Sequence, residues 1–331
     1  MTLLQAIWLG LLQGITEFLP VSSTAHMDIA SRLFIGHDVG AAYSAVVQLG
    51  PMFAIIYYFR HDLVRYLKGI LRTRSPFNIP ADDLDARLGW FVLLGFIPLA
   101  IFGLLLEHKI DTSFRRLDVV SVALIVLALV MLWAEKTGKR TRTLKDMTLK
   151  DSQIIGWAQV LALVPGTSRS GVTITAGLFQ NLDREEAARF SFLLSVPVIV
   201  AAGLYKLLKA IVFVMKPSHF TPQAAWEMHP YGNGTLGAGE LGLFLFSTVI
   251  AGIFAYIVVR WFMKYMENHN TYVFIAYRII LGIAVILLLK SGRISNTRSE
   301  HPPTTTPLTA FHAPTDGQRE PAKWKNKHVT S

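Results

Sequence analysis

Long apolar runs separated by short polar loops dominate the first 290 residues of the chain. A run needs roughly 17 to 25 residues to cross a hydrocarbon core of about 30 Å. The pattern therefore predicts an all-α polytopic membrane protein with six transmembrane helices. The six runs lie near residues 41–59, 89–106, 118–134, 187–208, 241–259 and 273–289.

Two further apolar stretches are too short or too interrupted to cross. The first covers residues 3–34 and bends at a polar turn over residues 20–26. The second covers residues 154–180 and bends at residues 165–171. Two short arms around a polar turn are typical of a re-entrant helical hairpin, which a membrane tolerates where the turn is buried in protein or lines a wet cavity.

The two hairpins resemble each other in sequence. A glutamine lies nine residues before a serine of the turn in both, Gln13 before Ser22 and Gln159 before Ser168, and a proline precedes each polar cluster. Three predicted spans follow each hairpin, and an odd number of crossings places the second hairpin on the opposite face of the membrane. Unless the match is a coincidence, the sequence predicts an inverted-topology repeat whose hairpins meet near the midplane.

The predicted organisation is a single integral membrane domain over residues 1–290. Repeat one covers residues 1–135 and repeat two covers residues 152–290. Residues 291–331 carry few apolar side chains and are predicted to form a disordered tail.

Composition and charge support this interpretation and give an orientation. Apolar residues make up 52% of the chain and charged residues 16%, against about a quarter in ordinary soluble proteins. A net charge of +10 suggests a nucleic-acid partner in a soluble chain. Here, however, sixteen of the 32 basic residues lie in four loops on one predicted face, against six in the loops opposite. These four loops are residues 60–88, 135–152, 181–189 and 260–272.

The positive-inside rule makes those four loops cytoplasmic and places both termini outside the cytoplasm. No nucleic-acid partner is expected, because the charge follows the membrane topology. The chain has no cysteine, which excludes disulfides, thiolate zinc sites, iron–sulfur clusters and a cysteine nucleophile.

The first hairpin concentrates polar groups within fourteen residues of apolar chain. Burying an ionisable side chain without a partner costs several kcal/mol, so Glu17 is a functional candidate. Gln13 lies four residues earlier, on the same helix face. The alternative is a helix-end carboxylate that reaches the membrane interface. The polar residues of the turn are Ser22, Ser23, Thr24 and His26.

The second turn, PGTSRSG at residues 165–171, has the composition of a phosphate-binding loop. Gly166 and Gly171 permit positive φ and close backbone approach. Backbone N–H groups at the start of the next helix can point at an anion, and Arg169 supplies a planar fork suited to phosphate. The alternative is a structural turn in which Arg169 pairs with an acid such as Glu17.

The chain thus contains two long polar motifs, QGITEFLPVSSTAH (residues 13–26) and PGTSRSGVT (residues 165–173). They resemble the two signature motifs of the undecaprenyl-diphosphatase family, also called bacitracin resistance proteins. The resemblance covers roughly residues 1–290. It implies six spanning helices and two re-entrant hairpins as inverted repeats. It also implies hydrolysis of undecaprenyl diphosphate to the monophosphate, with Mg²⁺ or Ca²⁺, in the bacterial plasma membrane. The reaction recycles the lipid carrier for cell-wall synthesis and gives bacitracin resistance.

By motif position, the resemblance implies catalytic roles for Glu17, Ser23, His26 and Arg169. Because Gln13 stands at the first position of the Glu/Gln-x-x-x-Glu pattern, this site lacks a first carboxylate, and a metal would depend on Glu17 and the phosphates of the substrate. The candidates for substrate binding are Gln13, Ser22, Thr24, Gly166, Thr167, Ser168, Ser170 and Gly171.

Two chemical routes and two other protein classes stay open from the sequence. Ser23 attacks with His26 as base, or His26 and Glu17 activate water. A transporter or flippase of a phosphorylated polyprenyl lipid has the same repeat architecture and also needs an anion site. An intramembrane serine protease lacks a G-x-S-x-G motif here and leaves Arg169 unexplained. The oligomeric state and the preferred prenyl chain length are also open.

Overall fold

The architecture comes from a computed structural model, which describes residues 2–35, 40–106, 116–215 and 238–296. Within those residues every regular element is a helix, and an isolated bridge between Arg142 and Leu182 is the one β contact. The predicted disordered tail falls, from residue 297 onward, outside the described residues.

The helices agree with the predicted apolar runs to within a few residues at most ends. They are α1 (Leu3–Thr16), α2 (Ser23–Ala30), α3 (Gly40–Tyr58), α4 (Arg60–Thr73), α5 (Leu84–Leu105), α6 (Leu117–Thr137), α7 (Leu149–Gln159), α8 (Arg169–Phe179), α9 (Arg184–Met215), α10 (Ala238–Asn268) and α11 (Tyr272–Lys290). A π-helical turn, Ser31–Ile35, extends α2, and short 3₁₀ segments cover Leu144–Asp146 and Val160–Leu163.

Five segments are long and apolar enough to cross a membrane, so the prediction of a polytopic, all-α membrane protein is confirmed at that level. The segments are Leu84–Leu105, Leu117–Thr137, Arg184–Gly203, Gly242–Asn268 and Tyr272–Lys290. The predicted span at residues 41–59 corresponds to α3, where Leu49–Tyr58 is a shorter apolar segment. A sixth crossing therefore stays a prediction.

The four basic loops lie together at one end of the helix bundle. Arg189 donates to Asp62 at 2.6 Å and so joins the start of α9 to α4. Glu135, at the end of α6, accepts from Thr271 at 2.7 Å and also pairs with Arg184. These buried carboxylates connect loops that are distant in sequence. We refer to this end as the basic end of the bundle.

The first hairpin begins and ends at the opposite end. Helix α1 packs along α10 so closely that a Cβ on Gly10 or Gly14 would meet the backbone of Ser247 or Ala251. Small residues permit this kind of contact between membrane helices. Helix α2 then returns, and Arg32 just beyond it donates to the carbonyl of Ser295, which follows α11.

The second hairpin begins and ends at the basic end. Ser152 of α7 donates to the carbonyl of Phe91 in α5 at 2.6 Å. Helix α8 returns to Asn181, whose carbonyl accepts from the backbone N–H of Thr141 at 3.1 Å. The two hairpins therefore point toward each other, and their turns meet inside the bundle.

Candidate active site

The two turns have the same backbone plan. Ser22 has φ 73° and ψ 93°, and Ser168 has φ 68° and ψ 116°. Positive φ is uncommon for a residue with a side chain, and it persists only where the surroundings fix it. Each serine caps the helix that follows, its hydroxyl accepting from the backbone N–H of Ala25 or Gly171. This pairing of Ser22 with Ser168 is the one that the glutamine–serine spacing predicts.

Glu17 lies at the centre of the polar contacts between the hairpins. Its Oε2 accepts from Gln13 Nε2 at 2.8 Å and from Ser23 Oγ at 2.7 Å. Its Oε1 accepts from Arg169 at 2.7 Å. The side chains of Glu17 and Arg169 are only 9% and 16% exposed. A partly buried ion pair thus joins the arm of the first hairpin to the turn of the second.

A cavity of about 280 Å³ opens beside this ion pair. Its polar lining residues come mainly from the two turns, and its apolar lining residues come from α5, α9 and the second hairpin. The N-termini of α2 and α8 both face it through Ser22–Thr24 and Ser168–Arg169. Its lining consists of Glu17, Ser22, Ser23, Thr24, Gln48, Leu99, Ala162, Leu163, Val164, Pro165, Gly166, Ser168, Arg169, Val198, Ile199 and Ala202.

Seven of the twelve predicted site residues line the cavity, and the other five do not. The seven are Glu17, Ser22, Ser23, Thr24, Gly166, Ser168 and Arg169. Gln13 reaches the site through its hydrogen bond to Glu17. Thr167 closes its own turn by donating to the carbonyl of Val164 at 2.6 Å. Ser170 joins the two turns by donating to the carbonyl of Leu19 at 3.0 Å.

His26 is engaged away from the cavity. Its Nδ1 lies 2.7 Å from the carbonyl oxygen of Ser22, and its Nε2 lies 2.5 Å from the hydroxyl of Tyr277. The two rings are stacked, with centroids 5.6 Å apart. Both ring nitrogens of His26 therefore have partners other than Ser23. The basic group in contact with the Ser23 hydroxyl is the carboxylate of Glu17.

The two glycines of the second turn have different roles. Gly166 has φ 96°, as expected, and a Cβ there would lie 2.5 Å from the carbonyl oxygen of Val120. For Gly171 a positive φ is the wrong expectation, because the residue lies inside α8. A Cβ there would lie 3.2 Å from Nη1 of Arg278, so close approach is what this position requires.

Three residues that belong to the site region are missing from the sequence-based set. Gln48 lines the cavity from α3, Tyr277 holds His26, and Arg278 binds both turns. A signal for Arg278 exists in the sequence, because it is a charged residue within the apolar segment of α11. Nothing comparable distinguishes Tyr277, since tyrosine is common at the edges of membrane helices.

The described residues provide few ligands for a cation. They contain no group of three or more His, Asp or Glu side chains arranged to hold a metal. Among the residues that line the cavity, Glu17 is the one carboxylate, and both its oxygens already accept hydrogen bonds. Hard divalent cations take six or more oxygen ligands. The donor set thus does not form a cation site by itself, and phosphate oxygens would have to complete one.

The chain is similar to known proteins over most of its length. The family model described as "Bacitracin resistance protein BacA" matches residues 6–284. The chain is 44% identical over 293 residues to the undecaprenyl-diphosphatase of Mycolicibacterium smegmatis, covering 88% of this chain and 98% of that protein. It is 45% identical over 299 residues to that of Myxococcus xanthus, covering 89% and 92%. It is 41% identical over 301 residues to that of Chlorobaculum tepidum, covering 89% and 99%.

Proposed function

Because the chain belongs to the bacitracin resistance protein BacA family, we propose that its two turns carry out the reaction after which its relatives are named. The protein is a multi-pass membrane hydrolase that converts undecaprenyl diphosphate into undecaprenyl phosphate and inorganic phosphate. The observation that carries the mechanism is the hydrogen bond from the Ser23 hydroxyl to the Glu17 carboxylate, at a cavity flanked by two helix N-termini.

The cavity suits a diphosphate attached to an apolar chain. Backbone N–H groups and the positive end of the helix dipole favour an anion at the starts of α2 and α8. Arg169 adds a permanent charge with a planar donor fork. Leu99, Val198 and Ile199 add apolar surface to the lining, which suits the first isoprene units.

Arg169 changes partner when the diphosphate binds. In the structure its guanidinium bonds one oxygen of Glu17. A terminal phosphate in the cavity competes for that guanidinium, because phosphate carries more charge than a carboxylate and matches the fork equally well. The exchange frees Oε1 of Glu17 and makes the carboxylate a better proton acceptor. The ion pair between Arg169 and Glu17 is therefore the state of the site before the diphosphate binds.

The chemistry follows from the contacts of Ser23. Its Oγ attacks the terminal phosphorus, its proton passes to Glu17, and the bridging P–O bond breaks to release undecaprenyl phosphate. Water then attacks the phosphoserine, releases inorganic phosphate and returns the proton to Ser23. Arg169 and the helix N-termini stabilise the charge that develops on the phosphoryl oxygens. His26, held by Tyr277, keeps the start of α2 in place.

A divalent cation, Mg²⁺ or Ca²⁺, stays a prediction for this site. Since Glu17 supplies at most one oxygen, the cation would enter with the diphosphate and neutralise part of its charge. No step above depends on it.

The hairpins are re-entrant, and six helices cross the bacterial plasma membrane in an inverted-topology repeat. Each hairpin begins and ends at one end of the bundle, which supports this topology. The basic end faces the cytoplasm and both termini lie outside it. Each hairpin enters from its own face, and the placement of Glu17, Ser23 and His26 in the first hairpin favours a site that opens outward.

Phosphate release in detergent tests the function. Purified protein given undecaprenyl diphosphate has no two sides to transport between, so an enzyme releases phosphate and a flippase releases none. Glu17→Gln keeps the shape of the side chain but removes its charge, and is expected to lower kcat by about 10²- to 10³-fold. A wild-type protein that releases no phosphate contradicts the proposal.

A further inference from the structure

Arg278 is a fully buried cation whose hydrogen-bond partners are all backbone carbonyls. The residue is 1% exposed and lies in α11. Its Nε and Nη2 lie 3.3 Å and 3.5 Å from the carbonyl oxygens of Leu124 and Ala123 in α6. No ion pair with a carboxylate is present for it in the part of the chain that the structure describes. Burying a charge without an opposite charge costs free energy of folding, so we expect Arg278 to have a specific role.

Its remaining contacts join the two turns. Nη1 donates to the carbonyl of Pro20 at 3.1 Å, and Nη2 donates to the carbonyl of Gly166 at 3.0 Å. Pro20 lies two residues before Ser22, and Gly166 lies two residues before Ser168. One guanidinium therefore binds the equivalent carbonyl of each repeat, and it does so from the ends of its planar fork.

We propose that Arg278 is the positioning residue that fixes the two turns relative to each other, so that Ser23 and Arg169 reach the same phosphate. The inference rests on the proposed function. Ser23 and Glu17 belong to the first hairpin and Arg169 to the second, and a shift of about 1 Å between reacting groups can cost about a hundred-fold in rate. The charge of Arg278 also adds to the positive potential behind the cavity.

Lysine is the informative replacement. Arg278→Lys keeps the charge, but an ammonium group is a compact point donor and cannot span both carbonyls as the planar guanidinium does. We expect kcat for undecaprenyl diphosphate to fall by about ten- to a hundred-fold, with KM changed by less than about three-fold, because binding of the prenyl chain does not depend on this joint.

A matched control separates positioning from stability. Val285 is 1% exposed, lies on the same helix and packs in a separate cluster with Leu117 and Ile294. Val285→Ala removes buried volume and lowers the thermal unfolding midpoint, but it leaves the turns joined, so kcat below that midpoint is expected to stay within two-fold of wild type. If Arg278→Lys also keeps kcat within two-fold, Arg278 is merely structural and the inference fails.

A direct measurement of the joint does not depend on activity. Because the chain has no cysteine, spin labels can be placed on the arms of the two hairpins through Trp8→Cys and Trp157→Cys, two exposed positions. We expect the distance distribution between the labels to broaden in Arg278→Lys and to stay unchanged in Val285→Ala. An equally narrow distribution in both variants overturns the inference.

If Arg278→Lys does not fold, Gly171→Ala provides the test with the arginine retained. The added methyl group would lie 3.2 Å from Nη1 of Arg278 and 3.2 Å from Cβ of Ser168, so it presses the guanidinium and the second turn apart. A kcat loss with broadening of the label distances supports the joint, and no change in either contradicts it. A wild-type protein without phosphatase activity refutes the proposed function instead, whereas the label distances still report on the joint.

Discussion

The two turns share a backbone but differ in the side chains that they present. Both begin their second helix at a serine with positive φ, Ser22 in one and Ser168 in the other. The next residue is Ser23 in the first turn and Arg169 in the second. The first turn thus supplies a hydroxyl next to a carboxylate, and the second supplies a fixed charge. The two turns thus share a backbone geometry, and under the proposed mechanism they supply different chemical groups.

The glutamines of the two arms show the same division. Gln13 donates to Glu17 at 2.8 Å. Gln159, its equivalent, is fully buried, and both of its side-chain polar atoms lack a hydrogen-bond partner within the described ranges. The position four residues after Gln159 is Leu163 rather than a glutamate. The second arm therefore has no carboxylate in the position that Glu17 occupies in the first arm.

The largest expected effect comes from removing the charge of the second turn. Arg169→Ala is expected to lower kcat by about 10³-fold or more, the size of effect that an arginine clamp has in phosphoryl transfer. Arg169→Lys restores charge without the fork and should recover part of that loss. The readout is phosphate release in detergent, and near-normal turnover of the alanine variant contradicts the assignment.

Removing the hydroxyl of the first turn tests the nucleophile. Ser23→Ala is expected to lower kcat by about 10²- to 10³-fold and to abolish a phosphoserine trapped by acid quench and identified by mass spectrometry. Ser168→Ala removes a hydroxyl from the second turn instead and should leave the trapped species in place. Retained turnover in Ser23→Ala favours direct attack by water.

A substitution at His26 tests whether this residue acts as a base or as a positioning group. His26→Gln is expected to lower kcat by about ten-fold, because the geometry makes Glu17 the base for Ser23 and leaves His26 to hold α2. Tyr277→Phe removes the other partner and should have a similar or smaller effect. A loss as large as that of Glu17→Gln, together with a changed pH–rate profile, would restore His26 as the base.

Gln13→Glu sharpens the role of the first arm. A second carboxylate next to Glu17 gives a divalent cation two protein ligands in place of one. We expect the Mg²⁺ or Ca²⁺ concentration for half-maximal activity after EDTA treatment to fall about three- to ten-fold. If the concentration is unchanged, the cation does not bind beside Glu17.

The smallest expected effect comes from a change at Gln159. Gln159→Leu replaces a buried amide that has no hydrogen-bond partner among the described residues by an apolar side chain of similar size, so the free energy of unfolding should rise by up to about 1 kcal/mol with kcat unchanged. Gln13→Leu is the matched change in the first arm and should lower kcat. A loss of activity in Gln159→Leu shows that this amide also serves the reaction.

The sequence alone predicted most of the helices and many residues of the candidate site. Apolar runs of spanning length are governed by the bilayer rather than by neighbouring helices, so their positions could be deduced from the chain. The cost of a charge inside an apolar segment singled out Glu17, and the composition of the second turn singled out Arg169. The paired turns could be inferred because each carries its own proline, serine and spacing.

Only the tertiary structure decided which groups meet. Three contacts could not be deduced from the chain: Ser23 donates to Glu17, His26 contacts Tyr277, and Arg278 binds two backbone carbonyls. They join elements that are far apart in sequence or that compete locally for the same partners. Local spacing says which polar groups share a segment. It does not say which partner wins, because hydrogen bonds depend on distances that packing between the hairpins and α11 fixes.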